Sequence, residues 1–544
     1  MAVLNRSLFG TNHRRRLSAC ALLLVCHATM FAASTDDAEL PVPTDFRAVS
    51  RQLRVDLSWT ANVPSRYEIQ RGPSAEGPFE TLDSDFPDRP FQSDFIGKAG
   101  GVFFYRVRAF FPAEQRGHPK LSAWSKTQSG SPTGAESEQL LTEVQEAGFR
   151  YFYDYAHPVS GMAREGYRRD PEICTTGATG MGLFNLVVGI ERHFITREQA
   201  VNRVLKLLTF LNEKADRFHG TFPHWVNGTT GKTIPFSTFD DGADLVETAF
   251  LMQGVILARE YFSSKVDSRE IQIRAIANEL WRGVEWNWFA QGDNDASGLL
   301  WHWSPNYGWK KNLKIHGFNE AQSVYLLALA SPTHPIQAKR YWNGWQSADY
   351  SLRREELGVP VELGRGLGPS LFCTHYSYLG FDPKQLSSGS KNYFEHFQDL
   401  CRVQIRYAES KQKERAGYGS MWGITASYGP DGYSDFAPGK KDNGTLAPTA
   451  ALSSMPYVPA ESRSCLAEMY NKHGKELWGP FGFCDSFNLQ RNWVANDILG
   501  IDVGPIAPMI ENYRTGFCWK TFMAAPEFQP LLKTLSMPPA ATLK

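Results

Sequence analysis

Near residue 140 the hydrophobic period of this chain changes, and it does not change back. From there on, LLTEVQEAGFRYFYDYA, REQAVNRVLKLLTFLNEKA, GADLVETAFLMQGVILAREYF and SREIQIRAIANELWRGVEWNWF carry apolar residues at helical spacing. Further helices are predicted near 320–330, 392–408, 460–473 and 505–523. About a dozen helices with almost no strand signal over ~400 residues are too many for a small bundle. The compact solution is a ring of helical hairpins, inner helices surrounded by outer ones, with a pocket at one end. A helical solenoid is the competing layout.

Upstream, residues 41–132 read as β structure. VDLSW (55–59), RYEIQRG (66–72) and VFFYRVRAFF (102–111) alternate or run apolar between Gly, Pro, Asp and Ser. Short strands with a Trp early and a Tyr late predict a small β-sandwich. The order LSWT, YEIQRG, FFYRVRAF resembles a fibronectin type III domain, a fold that spaces or binds. SGSPTGAESE (129–138) is the expected linker.

The first 33 residues stand apart from either region. A basic run, His13-Arg14-Arg15-Arg16, precedes the apolar LSACALLLVCHATMFAAS, with small residues near Ala32-Ala33. That is a secretory signal pattern, so the mature chain is expected to be exported, periplasmic or secreted. No other segment is apolar enough to span a membrane. Net charge +0 and a pI near 7.2 argue against nucleic acid as a partner, and a monomer is expected. Of eight cysteines, Cys20 and Cys26 lie in the signal segment. The other six are widely spaced without a CxxC pair, which disfavours metal binding and leaves open pairing or buried free thiols.

Chemistry concentrates in FDDGADLVETAFLMQG (239–254). With a helix from about Gly242, Asp240, Asp244 and Glu247 fall at i, i+4 and i+7 along one stripe. Acids in a first turn are ordinary, and Asp244-x-x-Glu247 even fits a capping box. Glu247, however, lies in a run that is apolar all round, where an unpaired carboxylate costs several kcal/mol unless it faces a wet cavity or a cation. Glu320 begins another predicted helix. Glu511 sits among apolar residues, three before Arg514, so an i,i+3 ion pair is its alternative reading. The chain is 13% aromatic, and aromatic loops recur between helices. His224-Trp225, Trp301, and His375-Tyr376 are candidates to line a cleft for sugars. Asp293-Asn294-Asp295 starts like a calcium loop, but Ser304 stands where the closing Glu belongs, so a plain turn is expected. No HExxH, P-loop, GxSxG or dinucleotide fingerprint occurs.

The motifs YFYDYAHPVSGMARE, FPHWVNGTTGKTIPFSTFDDGADLVETAFLMQG, HGFNEAQSVYLLALASPTHPI, FCTHYSYLGFDP, NGTLAPTAALSSMPY and GPIAPMIENYR together resemble glycoside hydrolase family 144, whose enzymes act on β-1,2-glucan. The likeness runs over about 141–532 and leaves the β region outside. It implies an (α/α)6 barrel over 138–540 and an anomer-inverting hydrolase that needs no metal or other cofactor, with a β-glucan polysaccharide or oligosaccharide as substrate. The family's acidic cluster falls on Asp240, Asp244 and Glu247. Asp240 and Asp244 are read as the acid/base pair, Glu247 as tuning or binding, and Glu320 and Glu511 as reserves. His224, Trp225, Trp301, His375 and Tyr376 are read as substrate contacts. An endo mode is expected, with exo release of sophorose the alternative. The rival readings are a helical-toroid polysaccharide lyase using Tyr376 and His375, and a non-catalytic glycan-binding protein.

Overall fold

The computed structural model describes residues 40–536, apart from 62–65, 83–88, 112–118, 135, 292–297, 312 and 348–349. The predicted signal segment and most of the calcium-like turn lie outside the described residues.

Two antiparallel sheets form the first region. One has the order β1 (Thr44–Arg51), β2 (Arg54–Thr60), β5 (Phe91–Phe95). The other runs β4 (Glu80–Thr81), β3 (Arg66–Gly72), β6 (Phe103–Phe111), β7 (Lys120–Leu121), with β8 (Gln128–Gly130) also on β6. Period-two alternation decides which side chains face inward. Along β6, Tyr105, Val107 and Ala109 are buried while Arg106 and Arg108 point outward. They meet Val55, Leu57 and Trp59 of β2 and Tyr67 and Ile69 of β3 in one small core.

From α1 (Ser137–Tyr153) onward the chain is helical, and helices of two kinds alternate. α1, α3 (Arg197–Glu213), α5 (Ser268–Gly283), α8 (Tyr393–Lys411) and α10 (Pro459–Leu477) each bury one face. Between them, α2 (Thr176–Glu191), α4 (Leu245–Tyr261), α6 (Gln322–Ala330), α9 (Pro448–Ser453) and α12 (Ile506–Arg514) are buried almost throughout. The latter read as apolar around the circumference, and such a helix has to lie inside. The inner helices touch in order, α2 to α4 to α6, and then the short turns at Leu371–Thr374 and Tyr376–Tyr378. Contacts continue through a His375–Ser454 hydrogen bond to α9, then α12, which packs back on α2. The ring closes, which removes the open solenoid as an alternative.

α2 and α4 approach backbone to backbone. A Cβ on Gly180 would stand 2.2 Å from the Phe250 carbonyl oxygen, and one on Gly254 2.2 Å from that of Gly180. Only glycine admits this spacing. Two helix boundaries moved from their predicted places, each for a local reason. α4 begins at Leu245, because Asp244 caps it instead of entering it. The segment at 505–523 splits into α12 and Phe517–Met523, since Gly516 turns left-handed at φ 67°.

The two regions are bolted together by buried charge. Arg54 of β2 donates through Nη1 to Glu143 Oε2 of α1 at 2.6 Å and through Nε to Asp56 Oδ1 at 3.0 Å. Its guanidinium also lies 4.3 Å from the Trp478 ring. Among the described residues no helix is long and apolar enough to cross a membrane. Cys174, Cys373, Cys401, Cys465, Cys484 and Cys518 are all buried free thiols, which resolves the pairing question.

Candidate active site

Three inner helices, α2, α4 and α6, begin at one place, and short strand pairs hold their entry loops together. Ala243–Asp244 pairs with His302–Trp303, and Trp225–Asn227 pairs with Ile173–Thr175. These ladders bring His224, Trp301 and His302 to the head of α4.

Asp244 is the hub. Its Oδ1 accepts from the backbone N–H groups of Val246 and Glu247 at 3.0 Å each and from Trp301 Nε1 at 2.9 Å. Its Oδ2 faces His224 Nδ1 at 3.2 Å and His302 Nε2 at 3.4 Å. Burial opposes its charge, but the two imidazoles outweigh burial and hold the carboxyl far below the usual range. A group so placed stays ionised and has little left to give. The predicted capping box is only half formed: Glu247 does not reach back to the Asp244 N–H, which donates instead to the Phe222 carbonyl.

Glu247 turns toward α2. Its Oε2 accepts from the Gly177 N–H at 2.7 Å and from Thr175 Oγ1 at 3.3 Å. Burial, with the Asp244 and Glu165 charges beside it, pushes this carboxyl up to about 7, against the pull of His224. Glu320, at the entry to α6, is likewise raised to about 7, by burial first and then by Asp435, Asp244 and Glu247. Among the described residues its side chain meets the Cys373 thiol, 4.0 Å from Oε2, and its own backbone N–H. Asp240 lies in the turn before α4, with Oδ2 3.0 Å from Lys311 Nζ and 3.1 Å from His302 Nε2. Its Oδ1 is buried without a partner among the described residues. His224, Asp240 and Asp244 each place one ligand-type atom within 4.8 Å of the others, a set that could hold a metal ion. The Lys311 ammonium already puts a positive charge there.

The structure adds acids on the facing wall. Asp485 and Asp502 hydrogen-bond to each other, and Tyr376 donates to Asp502 Oδ1 at 2.9 Å. Burial raises both carboxyls: Asp485 goes to about 7, with Asp497 adding and the Asp502 hydrogen bond opposing, and Asp502 is raised further by Asp485. Glu165, in the loop before α2, is raised by burial as well. Their local segments, ARE, FCDSF and GIDVG, carry no signal that sets them apart from ordinary loop acids.

Of the other sequence candidates, Trp301 and His224 touch the cluster, and Trp225 packs on Phe236 beside His224. His375 is elsewhere: it is buried against Ser454 Oγ at 3.0 Å, and burial lowers it to about 3. Glu511 lies at the far end of α2, on Arg192, which stands about 22 Å along the helix from Gly177 at ~1.5 Å per residue. There it pairs with Arg192 at 2.6 and 2.8 Å, while Arg514, its predicted partner, binds Gln145 Oε1. Burial would raise Glu511, but Arg192, Gln145 and Thr515 outweigh it and hold it low.

Buried carboxyls of opposed proton affinity, ringed by indole and imidazole groups at one end of a helical ring, define a class of carbohydrate-active site. Comparison with known proteins narrows that class. Residues 312–526 match the family described as "Glycoamylase: Putative glucoamylase". An exo β-1,2-glucooligosaccharide sophorohydrolase (non-reducing end) of Parabacteroides distasonis is 42% identical over 458 residues, 80% of this chain and 62% of its own length. The chain thus spans less than two thirds of that curated relative. A crystal structure of a β-1,2-glucanase from Parabacteroides distasonis matches at TM-score 0.88 and 38% identity, covering 93% of this chain and 74% of that one. The endo-β-1,2-glucanase of Chitinophaga pinensis matches at TM-score 0.71 and 42% identity, over 74% of this chain and 98% of that one. The chain belongs to this family of β-1,2-glucan hydrolases, glycoside hydrolase family 144, the family its motifs resemble.

Proposed function

We propose that this protein hydrolyses β-1,2-glucan with inversion at the anomeric carbon, on an (α/α)6 barrel carrying a fibronectin type III-like domain. One observation carries the reaction class: at a single helix-capped cluster, Asp244 is held ionised while Glu247 and Glu320 are held protonated up to about pH 7. Glycoside hydrolysis requires both states at once, a proton for the leaving oxygen and an acceptor for the attacking water.

Roles follow from what each carboxyl has free. Glu320, which among the described residues is paired with no cation and has a distant thiol as its side-chain neighbour, is the proton donor. Asp240, with Oδ1 unpartnered and Oδ2 on Lys311, is the acceptor. Asp244 is a positioning residue, since its five contacts fix His224, His302, Trp301 and the head of α4. Glu247 binds and tunes. The lyase reading loses one base candidate, because His375 is buried against Ser454, away from the acids, and the other, Tyr376, is held protonated by burial and by the Asp502 carboxyl it donates to.

For the mode of attack we infer exo release of sophorose. The Parabacteroides structure covers the sheet region as well as the helices, whereas the Chitinophaga endo enzyme covers 74% of this chain, about the extent of the helical region. In this reading the sheet region walls one side of the cleft, where Arg89 lies 3.8 Å from the Tyr155 ring. Identity does not separate the modes, since the exo sophorohydrolase and the endo enzyme are each 42% identical to this chain. The proposal includes export as a monomer, with residues 1–33 removed.

Digestion of long linear β-1,2-glucan, with product sizes followed over time, tests the reading. Sophorose should accumulate from the start while the polymer stays long, and the first-formed anomer should be α by NMR. Early mixed oligosaccharides with a fast loss of viscosity would establish the endo mode. New reducing ends from another glucan, and none from this one, would overturn the linkage.

A further inference from the structure

A β-hairpin outside the acid cluster points an aromatic ring into it. Ala426–Gly429 pairs with Gly432–Asp435, and Tyr428 stands opposite Tyr433. The hairpin is anchored toward its tip. One pair short of the turn, the Tyr428 N–H donates to Asp485 Oδ2 at 2.8 Å, and Ser486 Oγ donates to the Tyr428 carbonyl at 2.6 Å. In the turn Asp431 pairs with Arg491 at 2.6 Å. Beside it, Arg169 donates to the Tyr428 hydroxyl.

Tyr433 itself is not anchored. Its side chain makes no hydrogen bond to the described residues, and its one ring contact is edge-on to Tyr428, centroids 5.9 Å apart at 87°. The residue is 53% exposed. Yet burial acts most strongly on its hydroxyl, and after it the charges of Asp502, Asp485, Glu165 and Glu320, four carboxyls from four separate segments. The residue is thus open to water over half its surface while its hydroxyl end reaches toward the acids, on the strand paired with the Tyr428 that bonds Asp485. The next-but-one residue, Asp435, acts on Glu320. Packing therefore does not account for Tyr433, and a rigid hairpin holds it where a pyranose ring would lie between the two acidic walls.

We propose that Tyr433 is a substrate-contacting residue: its ring stacks on a glucosyl unit beside the scissile bond, and its hydroxyl donates to a sugar hydroxyl. This rests on the glucan-hydrolase reading above. The reaction still requires the carboxyls, so the hairpin governs affinity and registration of the chain.

Kinetics of Tyr433→Ala and Tyr433→Phe on sophoro-oligosaccharides test it. Tyr433→Ala should raise KM about tenfold, equivalent to about 1.4 kcal/mol, with kcat changed much less. Tyr433→Phe should raise KM about threefold. Tm should not move for either variant, since the side chain supports no core. Calorimetric binding of sophorotriose to Glu320→Gln and to Glu320→Gln/Tyr433→Ala should show the same tenfold difference without turnover. An unchanged KM and unchanged binding in Tyr433→Ala would overturn the proposal, as would a drop in Tm that accounts for the loss. If the wild type cleaves a different glucan, the linkage reading falls, and the same KM comparison on that glucan still decides the role of Tyr433.

Discussion

Two regions of this molecule bury charge, and they treat it in opposite ways. Where the sheets meet the helices, Arg54 is 1% exposed and sits against Asp56 and Glu143, with Arg51 and Arg150 completing the set. Burial works against the charges of Arg54 and Asp56, but opposite charges outweigh it: Asp56 is held down to about 2 by Arg54 and Arg150. In the cavity, Glu247, Glu320, Asp485 and Asp502 are equally buried, and no guanidinium among the described residues reaches them. Their carboxyls rise instead. A paired buried charge makes a joint, and an unpaired one makes a reactive group. Glu511, once a reserve for catalysis, belongs with the joints through Arg192.

The contrast can be broken at its strongest point first. Glu320→Gln should lower kcat on the order of 10²–10⁴-fold with the fold intact, because a lost general acid costs that much. A variant with wild-type turnover would move the proton donor to Glu247. On the other side, Arg54→Ala leaves Asp56 and Glu143 buried without their cation. It should reduce stability by ~3–5 kcal/mol in urea unfolding, while turnover per folded molecule stays unchanged.

pH separates the two regions more finely. Glu320 ionises near the ordinary 4.5 when unfolded and near 7 when folded. Between those values the folded state holds the extra proton, so wild-type stability should fall as pH rises, by about 1.4 kcal/mol per unit for each such group. Glu320→Gln should remove one share of that loss, being more stable than wild type above pH 7 and not below 4.5. A denaturant titration at several pH values reads this directly. Turnover of the wild type should decline through about pH 7 as the donor loses its proton. The smallest effect is expected at Glu511. Glu511→Gln should cost about 1–3 kcal/mol of stability through the weakened Arg192 contact and leave kcat within twofold.

Much of the fold was legible because it is written at short range. Strands at 55–59, 66–72 and 102–111 and the long helices stand where period alone put them, within a few residues. The site was legible in part for the same reason. Asp240, Asp244 and Glu247 follow each other on one strip of chain, and a buried helix behind them demanded an explanation. Their roles were not legible. The i, i+4, i+7 stripe assumed a helix from Gly242, whereas Asp244 ends the loop and accepts the first free N–H groups of α4. The residue read as half of an acid/base pair thereby also caps the helix, and in the proposed mechanism it positions.

His375 shows the opposite failure. Its aromatic loop looked like cleft lining, but nothing in HYSY distinguishes a histidine that joins two inner helices from one that meets substrate. Tyr376, its neighbour, does reach an acid, Asp502, from 126 residues away.

The sequence by itself determined the two periods, the buried character of α4, and the three acids at its head; α2, glycine-rich and without a helical stripe, was not among its predicted helices. Spacing and side-chain polarity are local properties, so a linear reading suffices for them. Only the tertiary structure decided which carboxyls share a cavity. Glu165, Glu320, Asp485 and Asp502 meet from separate stretches of chain, and Arg192 finds Glu511 across 319 residues. Proton affinity depends on burial and on the nearest charges, and both are set by distances through space that the order of residues does not contain.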